Sequence, residues 1–109
     1  MKVELGPYPS INDLEKERVI KIEIEKFDTW NLDHTLALII LPCLQQFRKQ
    51  DIGFPGELTM KKWNNILDRM IEAFDIIANE DGNYGVESNV NKIERGLKLF
   101  AKYYMHLWD

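Results

Sequence analysis

The residues of this chain best suited to chemistry fall in two short blocks, each setting a tryptophan beside ionisable groups. One runs Asp28-Thr29-Trp30-Asn31-Leu32-Asp33-His34; the other closes the chain, with Lys98, Lys102, Tyr103, Tyr104, His106, Trp108 and Asp109. Trp is costly to leave in water and Asp resists full burial, so a segment holding both marks the rim of a core. In the first block Asp28, Asp33 and His34 are oxygen and nitrogen donors. They could ligate a metal if a donor such as Asp68 or His106 joined them, although their spacing matches no metal motif. The same residues serve equally as the wall of a polar ligand pocket. A third reading puts the acids at the positive end of a helix with Trp30 packed on its side. In the second block, aromatic rings beside Lys could stack on a nucleobase and meet a phosphate. Alternatively Tyr104, Leu107 and Trp108 continue a core stripe, with Lys102 and His106 in water.

A further set is Asp68, Glu72 and Asp75, spaced i, i+4, i+7 and therefore on one helix face. Such a row could hold a cation or form an acidic flank that meets solvent or a partner. There is no Gly-rich phosphate loop and no Gly-x-Ser-x-Gly, and neither His34 nor His106 has a nucleophile at a recognisable spacing. No catalytic residue, metal or cofactor is assigned on this basis, and a non-enzymatic protein is expected. Cys43 lies in an apolar run, where a free thiol is expected to be buried and inert.

These residues need a scaffold, and 109 residues with 45% apolar and 29% charged side chains describe one globular domain spanning 1–109. The net charge of −4 comes without any cluster of Lys and Arg, which argues against nucleic-acid binding. Met1 to Pro7 lacks the apolar stretch of a signal peptide, and the run from Leu36 to Leu44 is too short for a membrane span. A cytoplasmic protein is expected.

Ile20, Ile22 and Ile24 alternate with Lys21, Glu23 and Glu25, predicting a strand over 19–27 with one face on a core. Its expected partner is Lys2 to Leu5, with Gly6-Pro7 ending that strand and a capping box at Ser10-Ile11-Asn12-Asp13 opening a short helix. A two-stranded ribbon is marginal alone, so it must lie on helices or pair across a dimer. The first long helix is expected from Asn31 to Lys49, central and nearly all-round apolar, with Pro42 kinking it. After a turn at Gly53-Phe54-Pro55-Gly56, Thr59 caps a second helix to Asn79, whose stripe is Trp63, Ile66, Leu67, Met70, Ile71, Phe74, Ile77 and Ala78. A polar loop over 79–85 follows. Ser88 or Asn89 caps a third helix to Leu107, with Val90, Ile93, Leu97, Phe100, Ala101, Tyr104, Leu107 and Trp108 inward. Gly96 in its middle suggests a close approach of another backbone or a ligand. The expected fold is mainly α: a three-helix bundle with a short N-terminal antiparallel two-stranded β element.

Gly6-Pro7-Tyr8, Asp28-Thr29-Trp30, Asp33-His34-Thr35-Leu36-Ala37, Ile40-Leu41-Pro42, Trp63, Leu67-Asp68, Met70-Ile71, Gly96-Leu97, Leu99-Phe100, Lys102-Tyr103-Tyr104 and Leu107-Trp108-Asp109 occur in that order. The order resembles a family of small proteins of tailed bacteriophages over nearly the whole chain. This chain lacks a longer insert that many relatives carry near Gly53-Phe54-Pro55. It has Arg69 where an acidic residue is common and Arg95 where Asn is common. The resemblance implies a phage origin and action in the host cytoplasm, and brings no defined activity with it.

Together these readings lead to a binding protein used in counter-defence. In one version it sequesters a nucleotide-type ligand through Tyr8, Trp30, Asp33, His34, Arg95, Lys98, Lys102, Tyr103 and Trp108, in a recess completed by a second subunit. In another it inhibits a host protein through the acidic face of Asp68, Glu72 and Asp75. A small metal-dependent enzyme is the remaining alternative.

Overall fold

A computed structural model describes residues 1–7, 17–50, 53–79 and 87–108. Along the chain lie β1 (Lys2–Leu5), β2 (Ile20–Glu23), a short 3-10 helix (Lys26–Thr29), α1 (Leu32–Gln50), α2 (Met60–Asn79), α3 (Glu87–Tyr103) and a closing 3-10 turn (Tyr104–His106). Among the described residues the fold is mainly helical, with three long helices and one two-stranded antiparallel sheet. The chain divides into two compact units, Met1–Leu32 and Asp33–Asp109. Tyr8, the expected capping box at 10–13 and most of the expected loop at 79–85 lie outside the described residues.

In the first unit, β1 and β2 pair with Lys2 opposite Glu23, Val3 opposite Ile22, Glu4 opposite Lys21 and Leu5 opposite Ile20. Each charged pair is of opposite sign and each apolar pair shares a face, so charge and hydrophobic pattern select one register. The ladder is shorter than the alternation in 19–27. Past Glu23 the chain turns into the 3-10 helix, where Asp28 accepts from Glu25 N at 2.8 Å while Glu25 caps in return. The expected core-facing side of this ribbon is a correction: Val3, Leu5, Ile20, Ile22 and Ile24 are all exposed.

In the second unit the core is built around α2. Trp63, Leu67, Met70, Ala73, Phe74, Ile76, Ile77 and Ala78 are buried on it, whereas α1 buries Ala37, Leu41 and Leu44. The expectation that the first helix is central is therefore overturned. Leu36, Leu38 and Cys43 face outward, because apolar side chains on α1 outnumber the positions that α2 and α3 can cover. Helix α1 runs through Pro42 without a break. The carbonyl that Pro42 leaves without a helical donor belongs to Leu38, an exposed residue where water can serve it.

Helix α1 runs antiparallel to α2. Arg48 Nε donates to Asp68 Oδ1 at 2.9 Å near one end, and a ring nitrogen of His34 meets Ile77 O at 3.2 Å near the other. Helix α3 lies closer. A Cβ added at Gly96 would sit 2.5 Å from Arg69 O and nearer still to the Cβ of Ala73, so the two backbones touch where both side chains are minimal. Around this point Phe74 meets Phe100 edge-on at 5.0 Å and Trp63 meets Tyr103 at 5.6 Å. Thr59 caps α2 as expected, accepting from Lys62 N at 3.2 Å. The cap expected at Ser88 or Asn89 is displaced, since α3 already includes Glu87.

Candidate functional site

The inward stripe of α3 is offset from the expected one. Ile93, Gly96, Leu99, Phe100 and Tyr103 pack inward, with Leu107 beyond the helix end, while Leu97, Ala101, Tyr104 and Trp108 are exposed. Gly96 sets this rotation: its bare backbone must face α2, and that turns the positions one residue further on into solvent. The chain leaves the α-helix at Tyr103 for a 3-10 turn over Tyr104–His106, so those residues no longer follow α-helical spacing.

The end of α3 borders two depressions. One, of about 250 Å³, is lined by Pro55, Gly56, Glu57, Leu58, Tyr103 and His106. Its floor is firm, because Tyr103 rests edge-on against Trp63, which is only 2% exposed. Its far wall is the turn closed by Leu58 N donating to Pro55 O at 2.9 Å. The Tyr103 ring also has the His106 ring 6.1 Å away and the Lys102 ammonium 5.3 Å from its centroid. The other depression, of about 300 Å³, is an apolar groove lined by Ile39, Ile40, Cys43, Leu44, Phe47, Phe100 and Leu107. Cys43 is exposed at this groove, which corrects the expectation of a buried thiol. Aromatic, acidic and imidazole groups thus share one recess with an apolar channel bordering the same stretch of chain, an arrangement suited to holding a small amphipathic molecule.

The other expected site residues have local partners. Asp28 lies in the first unit, where its carboxylate takes the Met1 ammonium at 2.9 Å. That bond and the one from Glu25 N hold its carboxyl below the usual carboxylate range, and the Met1 amine is correspondingly pushed up. Trp30, also in the first unit, is 77% exposed and touches Phe27 edge-on at 5.8 Å. Asp33 stands in the first turn of α1, where the helix dipole favours an acid. His34 meets one of the last carbonyls of α2, a group that helix geometry leaves without a donor. Trp108 is 73% exposed and its indole N–H donates to Met105 O at 3.0 Å. The reading of Trp108 and Tyr104 as core residues is therefore corrected. Trp30 and Trp108 belong to different units.

Arg95 bonds Glu72 at 2.8 Å, and Arg69 approaches the same carboxylate at 3.9 Å. With Arg48 on Asp68 and Asn79 donating to Asp75 at 2.7 Å, the carboxylate row on α2 is occupied within the second unit. Lys98 is exposed on α3. Among the described residues no group of three or more His, Cys, Asp or Glu could hold a metal ion, and no helix is long and apolar enough to cross a membrane. Glu57 and Leu58 were not singled out from sequence; the Pro55-Gly56 turn was the available signal, but its placement beside Tyr103 is tertiary. In comparisons with known proteins, no family model, curated protein or solved structure matches this chain.

Proposed function

We propose that the protein is a non-catalytic binding protein that sequesters a small nucleotide-type ligand at the end of α3. The observation that supports this is the recess where Tyr103, backed by Trp63, stands with His106 and Glu57. A planar base would lie against the Tyr103 ring. Glu57 would accept from its edge, His106 would complete the polar contacts, and Lys102 would meet the phosphate. Arg95 takes no part, being held by Glu72. The phage resemblance supplies the setting, a product made in the infected cell that removes such a ligand from a host defence response.

The test is a melting-temperature screen with mono-, di- and cyclic nucleotides. A ligand at a hundred times its Kd stabilises by about 2.7 kcal/mol, a rise on the order of 10 °C for a domain of this size. The variants Glu57→Gln and His106→Ala, both at exposed positions, should abolish the rise while leaving the unliganded melting temperature in place. A screen in which no nucleotide shifts the transition overturns the reading. A second reading, a protein partner, is favoured by the exposed apolar face of the first unit, where Phe27 and Trp30 join the ribbon isoleucines in solvent.

A further inference from the structure

We propose that the outer edge of β2 is a self-association surface, on which a second copy of this chain pairs antiparallel about a two-fold axis at Ile22. The argument begins with backbone parity. Gly6 N donates to Val19 O at 2.8 Å, so Gly6 and Val19 form a bonded pair of the antiparallel ladder. Bonded pairs alternate, which directs the backbone groups of Lys21 and Glu23 toward β1 and those of Ile20 and Ile22 outward, with Ile24 next in that alternation. Among the described residues no strand pairs with that outer edge. Beyond the ladder Glu25, which caps the 3-10 helix, has extended backbone at φ −93° and ψ 156°.

Two copies related by the axis place Ile22 opposite Ile22 and Ile20 opposite Ile24. The same register sets Lys21 opposite Glu23 of the other copy, twice by symmetry. Shifting by one residue would put isoleucines against charges, so side-chain pattern, charge and backbone parity agree on one arrangement. The outer edge of β1 is a poorer candidate. The Met1 ammonium is taken by Asp28, and Pro7 has no N–H to offer. From Val19 to Phe27 there is no Pro or Gly to blunt the β2 edge, the usual protection of a strand meant to stay solitary. Pairing would join two ribbons into one sheet with two strands from each copy, passing the size at which a sheet is more than marginal. This inference is independent of the nucleotide reading, because its residues all lie in the first unit.

The test uses the full chain with Cys43→Ser as background. Single cysteines are introduced by Lys21→Cys and by Glu23→Cys, and the two variants are mixed under mild oxidation. The expected result is a disulfide joining the two variants at least tenfold faster than either variant joins itself, with a dimer mass for the unmodified chain in sedimentation. A Val3→Cys variant should dimerise without cross-linking to itself, because its sulfurs would lie three strand spacings apart. Ile22→Pro removes an outward N–H without touching the β1 ladder and should raise the dimer dissociation constant at least tenfold. Self-linking through Val3→Cys, or a monomer at every concentration, overturns the proposal. Dimers that fail to link position 21 to 23 overturn it as well, since they would be packed face to face.

Discussion

Replacing Gly96 by Ala reverses an ordinary expectation. In an exposed helix the change stabilises by about 1 kcal/mol, because Ala loses less backbone freedom on folding. Here the new Cβ would fall 2.5 Å from Arg69 O and nearer still to the Cβ of Ala73. Comfortable separations between such atoms are about 3.5 Å, so the shortfall is roughly 1 Å or more. Neither neighbour can rotate away, one being backbone and the other fixed directly to it. Helix α3 must therefore lift off α2 by about 1 Å at the crossing. A radial gap of that size forfeits roughly a quarter to a half of the dispersion energy of the contacts it opens. The Phe74–Phe100 and Trp63–Tyr103 contacts flank the crossing and share that loss. Overpacking on this scale costs up to about 3 kcal/mol, and the helix gain offsets about 1 kcal/mol of it, so the expected net loss is about 2 kcal/mol. That is a fall in melting temperature of about 8 °C, read by calorimetry or by circular dichroism. Gly53 is the internal comparison: nothing lies within 4 Å of a Cβ there, so Gly53→Ala should leave stability unchanged or raise it slightly. A Gly96→Ala protein as stable as its parent would refute the close crossing and the rotation of α3 derived from it.

His34→Ala should lower stability by about 1 kcal/mol, since it removes the contact with Ile77 O at the end of α2. Hydrogen exchange should show the loss concentrated in the last turn of that helix. Trp108→Ala should leave the melting temperature within about 0.5 kcal/mol of the parent, because the ring is exposed and bonds only to its own turn. A collapse of folding would restore Trp108 to the core. The Met1–Asp28 pair has a two-sided pH window. Asp28, depressed in the fold, contributes above its unfolded pKa and loses that contribution as pH falls through the lower folded value. The Met1 amine, raised in the fold, contributes below its unfolded pKa and loses it as pH rises through the higher folded value. In an NMR titration the Asp28 carboxyl should titrate below its ordinary value and the Met1 amine above its own, and Asp28→Asn should return the amine toward the ordinary value.

Much of the architecture was readable from periodicity. The stripe of α2 appears in the core as anticipated, and the strand register follows from alternating Lys, Glu and Ile. What failed has a common cause: spacing gives the period of a helix and says little about its rotation. Ala101 and Trp108 satisfy the α3 period as well as Leu99 and Tyr103 do. Only the steric demand at Gly96, visible once Ala73 lies across it, chooses between them. The place of helix α1 escapes its sequence for a related reason. Its run of Leu and Ile has the composition of a central helix, but centrality depends on how many neighbours surround it. The recess beside Tyr103 was half legible. Tyr103 and His106 stood out as an aromatic and ionisable block, whereas Glu57 enters through a turn far away in sequence.

The seam between α2 and α3 has a mechanical corollary. At its closest point it closes on a glycine and an alanine, so there it has no flexible side chain to compress or swing aside. Helix α1 contributes Ala37, Leu41 and Leu44 to the core, and its polar ties to α2 are an arginine reaching Asp68 and an imidazole reaching Ile77, both with rotatable bonds. A guest entering the channel along Ile39, Cys43 and Phe47 would thus displace α1 and leave the α2–α3 pair rigid, as a hinged door moves against its frame.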